Sequence, residues 1–292
     1  MTTESEAKLL RLEAYWELTA RKHTCLLGWN SGLTPPAPFV DNGSCCLVQT
    51  PVKRFVVTCE HVWAGYEAFH NSSARSQLWM SLIQDGQTSA PSAARSLTKP
   101  RAIAVEKSLD LAVFTFDGIN DLESWRFWQL ALNGDSQANK GDAVHFLGFP
   151  GDLVRAGATD RKLGCCYLSE IVAEVSFGKF RLHAPAGTRH HKNQRGEDGV
   201  AFRIGGASGA PVFKVKQDMS LALAGIVSQL SSPGFILGSP SSGGSGSEPE
   251  THEMSDGDVL VTHACFIQED GFIVSHRIGS ESDKLVSVAK GL

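Results

Sequence analysis

Three residue types that together can perform nucleophilic catalysis stand far apart in this 292-residue chain. Ser208 lies in Gly205-Gly206-Ala207-Ser208-Gly209-Ala210-Pro211-Val212-Phe213, His61 in Val56-Val57-Thr58-Cys59-Glu60-His61-Val62, and Asp110 in Ser108-Leu109-Asp110-Leu111-Ala112-Val113. A serine hydroxyl set among glycine and alanine can come close to a carbonyl carbon, because glycine puts no side chain in the way. Attack also needs a base for the hydroxyl proton, and a neutral imidazole with a reference pKa of about 6.5 can serve near pH 7. A carboxylate on the other ring nitrogen fixes the tautomer and stabilises the imidazolium as it forms. Ser208 is thus the expected nucleophile, His61 the base and Asp110 the orienting acid. The backbone amides of Gly206 and Ser208 are the expected holders of the developing oxyanion.

These residues need a frame. The segment around Leu9 to Leu18 reads as an amphipathic helix, with a capping box at Thr3-Glu4-Ser5-Glu6 and Leu9, Leu12 and Trp16 on one face. The prolines of Leu33 to Pro38 end that segment, and the body begins near Phe39. Cys45 to Thr50 and Phe55 to Cys59 read as a hairpin, which leaves His61 just past a strand end. Leu78 to Ile83, Ala102 to Val105 and Leu111 to Phe116 continue a first β series. Ala143 to Leu147, Cys165 to Val175, Phe180 to His183, Pro211 to Val215, Leu221 to Ser228 and Val259 to Ile267 make a second. The spacing suggests barrels or sandwiches. The expected organisation is an N-terminal helix and connector at 1–38, a first β unit at 39–116, a connector at 117–142, a second β unit at 143–275 with a Gly/Ser loop at 236–257, and a tail or short helix at 276–292.

Composition narrows the partners. Lys and Arg number 27 against 31 Asp and Glu, so no global basic field calls for nucleic acid or anionic lipid. The apolar run around Leu221 to Ser228 falls well short of the ~20 residues that span a bilayer, and the opening helix lacks the apolar core of a signal peptide. Seven cysteines without C-x-x-C spacing fit reduced thiols and a soluble, cytoplasmic protein. His183, His190, His191, Cys165 and Cys166 do not match zinc spacings, so no metal is expected.

His61, Asp110 and Ser208 follow the order His, Asp, Ser, which separates one triad fold from the others. With Gly43-Ser44-Cys45-Cys46-Leu47-Val48, Val144 to Gly151 and Ala224-Gly225-Ile226-Val227-Ser228, the chain resembles the trypsin-like serine peptidases over about residues 39 to 267. Its style is nearer to the HtrA-like branch than to the secreted digestive enzymes. The resemblance implies a mainly β fold of two packed six-stranded antiparallel β-barrels of chymotrypsin type, with the triad in the cleft between them. It implies a serine endopeptidase working through an acyl-enzyme on a protein or peptide substrate, with no cofactor. Ser228, Gln229 and Leu230 would then pair with an extended substrate. Phe202 and Ser228 would flank the primary pocket and favour an apolar or small side chain before the cleaved bond.

The chain departs from that family in several places. Ala207 stands where the secreted enzymes carry the Asp that pairs with a freshly cut N-terminus, so activation by that ion pair is not implied. Thr58-Cys59-Glu60-His61-Val62 replaces Ala-Ala-His-Cys, so neither is a disulfide beside the histidine. A catalytically silent double barrel, binding a protein partner through its cleft or its N-terminal helix, is the alternative reading. Asp117 competes with Asp110 as the acid. An α/β-hydrolase with His263 or His276 as base and Asp256 or Asp258 as acid would need a helix after Ser208, where Pro211 to Val215 reads as strand.

Overall fold

The computed structural model describes residues 4–31, 41–73, 75–82, 94–122, 125–131, 136–149, 166–176, 178–184, 207–231 and 257–274. Phe202, Gly206, most of the Gly/Ser loop, the adjacent His190 and His191, and the expected C-terminal helix lie outside them.

Two antiparallel β units carry the fold. In the first, β1 (Thr24–Asn30), β2 (Asp41–Gln49), β3 (Arg54–Thr58), β4 (Gln77–Leu82), β5 (Ala94–Ser96), β6 (Thr98–Glu106) and β7 (Leu111–Asp117) run in the order β5-β4-β1-β2-β3-β7-β6. Only Leu97 separates the two ends of that sheet, and its amide donates to the Leu78 carbonyl at 2.8 Å. Residues 94–106 therefore act as one bent strand that pairs with β4 at one end and β7 at the other, bringing the sheet round on itself. A short β8 (Trp128–Gln129) adds to β2 in parallel.

The second unit is a closed barrel of β9 (Ala143–Gly148), β10 (Cys166–Ser176), β11 (Lys179–Ala184), β12 (Pro211–Val215), β13 (Leu221–Ser231) and β14 (Gly257–His263), ordered β10-β11-β14-β13-β12-β9. This is a mainly β architecture of two units, one closed six-stranded barrel and one curled sheet in place of the other expected six-stranded barrel, consistent with a double barrel of chymotrypsin type. Inward residues such as Phe146, Leu168, Phe180, Leu182, Val212, Val227 and Val261 fill its interior.

The structure differs from the sequence expectation in three elements. Thr24–Asn30, expected within the leading segment 1–38, is a central strand whose seven residues are all buried. A strand covered on both faces has no apolar–polar alternation to betray it. Glu60–Ser72 forms a helix, α2, immediately after β3. Its signal is the helical spacing of Val62, Trp63 and Tyr66, all of which are buried. The opening helix, α1 (Glu4–His23), packs on the second barrel through Trp16, while Leu9 of the expected apolar stripe stays half exposed.

Trp16 explains that docking. Its indole N–H donates to the Met219 carbonyl at 3.1 Å, and its ring lies 4.6 Å from that of His145. His145 also pairs through Nδ1 with the Tyr167 hydroxyl at 2.7 Å. Burial holds the His145 imidazole neutral, with its pKa down to about 4. α1 thus leans on the second barrel while running straight into β1 at the heart of the first.

Candidate active site

At the seam between the two β units, hydrogen bonds join segments that carry or flank the expected site residues. The Ser44 amide in β2 donates to the Ser208 carbonyl at 2.8 Å, the Ser44 hydroxyl accepts from the Phe149 amide at 3.0 Å, and the Asn42 side chain donates to the Phe149 carbonyl at 2.9 Å. Thr262 of β14 reaches across to the Leu109 carbonyl, one residue before Asp110, at 2.5 Å. Two of these hydrogen bonds tie the segments bearing Ser208 and Asp110 to the opposite unit, and two more do so for Phe149, just past the end of β9.

Ser208 occupies a tight turn. The Ala210 amide closes on the Ala207 carbonyl at 3.0 Å, and Gly209, third in that turn, has φ +89°. A third turn residue at positive φ selects glycine. Space selects it again, because a Cβ on Gly209 would run into the Ser44 carbonyl oxygen and the Thr58 hydroxyl. That close approach sets the serine turn against the end of β3, three residues before His61. Gly43 completes the wedge: a Cβ there would fall 2.6 Å from Val62 and 3.3 Å from the Ser208 carbonyl oxygen.

His61 sits in the first turn of α2, behind an N-cap, Cys59, that makes no side-chain capping bond. Asp110 supplies what the cap does not. One of its carboxylate oxygens accepts the His61 backbone N–H at 3.1 Å, and both lie 2.9 Å from His61 Nδ1. The carboxylate thus satisfies an orphan amide at a helix start, where the helix dipole favours negative charge, and orients the imidazole at once. Asp110 holds a left-handed backbone conformation, φ +53°, closed by its amide on the Lys107 carbonyl at 3.1 Å. Asp tolerates that region better than most residues.

The electrostatics follow the geometry. Asp110's hydrogen bond, helped by its charge, raises the His61 pKa above its ordinary value, against an opposing contribution from burial. The His61 side chain is 50% exposed and that of Asp110 16%, so the imidazole is open to solvent while the carboxylate is largely shielded.

Comparison with known proteins adds little at the level of sequence. No family model matches the chain, and neither does any curated protein. Many solved structures do align with it, and one of them illustrates the likeness. That structure, described as the crystal structure of Deg5, covers 78% of this chain and 87% of its own, at 14% identity and a TM-score of 0.43. The assignment of architecture rests instead on the strand pairing above.

The other expected site residues fall as follows. Ser228 is wholly buried, and its hydroxyl donates to the Leu260 carbonyl at 3.2 Å. Gln229 and Leu230 continue β13, paired on one side with Leu260 and Val259 of β14. On the other side, the β12 ladder ends at Pro211 opposite Ile226. Asp117 is turned to solvent in ion pairs with Arg101 at 2.8 Å and Lys99 at 3.7 Å, which removes it as a partner for His61. His263 is buried against Phe180, and β12 rather than a helix follows Ser208, so the α/β-hydrolase arrangement does not arise.

Sequence reasoning missed Cys59. Its thiol, wholly buried, reaches the Val227 carbonyl in the other unit at 2.7 Å. Burial, and then the negative charge of Asp110, push that thiol's pKa well above its ordinary value. Donor atoms of Cys59, His61 and Asp110 all lie within 4.8 Å of one another.

Proposed function

We propose that this chain is a serine endopeptidase of trypsin-like mechanism. The observation that carries the reading is the His61–Asp110 pair, with both carboxylate oxygens 2.9 Å from Nδ1, in the β unit to which the serine turn is hydrogen-bonded.

In this reading His61 Nε2 takes the Ser208 hydroxyl proton as Oγ attacks the substrate carbonyl, and Asp110 keeps the proton of the ring on Nδ1. The tetrahedral oxyanion is received by the amides of Gly206 and Ser208. The imidazolium then donates its proton to the leaving amine, and water repeats the sequence on the acyl-enzyme. No cofactor enters any step. The substrate main chain adds as a strand beside Ser228, Gln229 and Leu230, where β13 runs on past the end of β12. The reading assigns the side-chain pocket to Phe202 and Ser228, which favours small or apolar residues.

Labelling with a fluorophosphonate probe tests this directly. The native chain should label, and Ser208→Ala should not. Peptide hydrolysis should follow the same pattern. An unlabelled native chain would favour the catalytically silent double barrel that binds a protein partner, and labelling that survives Ser208→Ala would remove Ser208 as nucleophile.

A further inference from the structure

The third donor beside the His61–Asp110 pair has no task in acyl transfer. Cys59 caps the start of α2 without a side-chain capping bond, and its buried sulfur reaches the Val227 carbonyl of the other unit. Thiolate, imidazole and carboxylate are the ligand classes that zinc takes, at bond lengths of about 2.3, 2.0 and 2.1 Å. Tetrahedral placement at those lengths separates donors by roughly 3.2 to 3.6 Å. Here Nδ1 and the carboxylate oxygens are 2.9 Å apart, and all three donor groups fall within 4.8 Å, so small side-chain adjustments close the set. The half-exposed His61 ring offers the way in, and a fourth position remains for water.

We propose that Cys59 Sγ, His61 Nδ1 and the Asp110 carboxylate form an inhibitory site for a thiophilic divalent cation, zinc above all. The protons balance as follows. The Cys59 thiol gives its proton to solvent. The Nδ1 proton also leaves, and Nε2 takes one up, so one proton is released per metal bound and the imidazole stays neutral. Thiolate and carboxylate together neutralise the cation. With Nδ1 on metal and Nε2 carrying hydrogen, the ring has no lone pair for the Ser208 proton, and the base is silenced while the fold stays intact. The inhibitory consequence rests on the peptidase reading, but the binding site does not.

Cobalt(II) added to the full chain reads the site without any activity. One equivalent should give a thiolate-to-cobalt charge-transfer band with tetrahedral visible bands, displaced by zinc. Cys59→Ala should abolish the band and weaken zinc binding at least tenfold in competition with a chromophoric chelator. Cys59→Ser, which keeps the volume, should also lose the sulfur band while retaining the native melting temperature within a few degrees. If the native chain hydrolyses peptides, zinc should stop it and a chelator restore it. Absence of the band in the native chain, or a band of equal strength and affinity in Cys59→Ala, overturns the proposal. A band that depends on Cys59 in a chain that cleaves nothing would sustain the site and sink only the peptidase reading.

Discussion

The carboxylate of Asp110 binds His61 twice, through the ring at Nδ1 and through the backbone amide at the start of α2. One side chain therefore serves both the aim of the imidazole and the beginning of the helix that carries it. Substitution should separate the two. Asp110→Asn should lower kcat by up to about 10⁴-fold by disturbing the tautomer. Asp110→Ala should in addition cost about 1 kcal/mol in stability, as the loss of a helix cap does. Steady-state kinetics and urea unfolding of the two variants check the pair of effects.

The same contact sets a pH limb. Asp110 raises the His61 pKa, so the neutral imidazole required of the base appears only as pH rises through a value above 6.5. kcat/KM should fall on acidification with its half-point above 6.5, and the His61 ring resonances should titrate at the same pH. A half-point below 6.5 would contradict the charge relation between the two groups.

Acid should loosen the whole molecule through other histidines. His145 and His263 are buried and held neutral, each with a pKa lowered to about 4 by burial, and the partly buried His23 is lowered likewise. An unfolded chain binds those protons near pH 6.5, so it holds more protons than the folded one between about 6.5 and 4. Stability should therefore fall as pH drops through that window, by on the order of 3 kcal/mol for each fully buried ring. His263 is the clean test, since both its ring nitrogens are buried without a hydrogen-bond partner. His263→Leu should hold its stability at pH 7 within about 1 kcal/mol and unfold at lower pH than the native chain.

Gly209 should tolerate no side chain. Its φ of +89° and the Ser44 carbonyl oxygen beside it oppose even a methyl group. Gly209→Ala should cost at least ~2 kcal/mol and displace the serine turn, which thermal melting and loss of probe labelling would register together.

Much of this frame is legible in residues alone, for identifiable reasons. The hairpin of β2 and β3 declares itself because apolar runs flank the polar Pro51-Val52-Lys53-Arg54 connection, and the second barrel's strands are set apart by polar and glycine-rich stretches. β1 stays hidden because burial on both faces erases alternation, and Gly28 interrupts the run further. In the candidate site, the pairing of His61 with Asp110 is readable from residue type and order. The left-handed backbone of Asp110 is not, and neither is Cys59 as a neighbour of that pair, because its partner Val227 lies 168 residues away. Leu9 shows the opposite error: apolar spacing on a helix extends beyond the part that finds a surface.

The docking of Trp16 on Met219 joins residues 203 positions apart. A chain emerging from a ribosome makes its first helix long before the surface that receives it exists. α1 must wait, its indole wet, until β9, β12 and the turn at Met219 have been synthesised and folded. Seating that helix is therefore a late event in maturation, and it reports that the second half of the molecule has been completed.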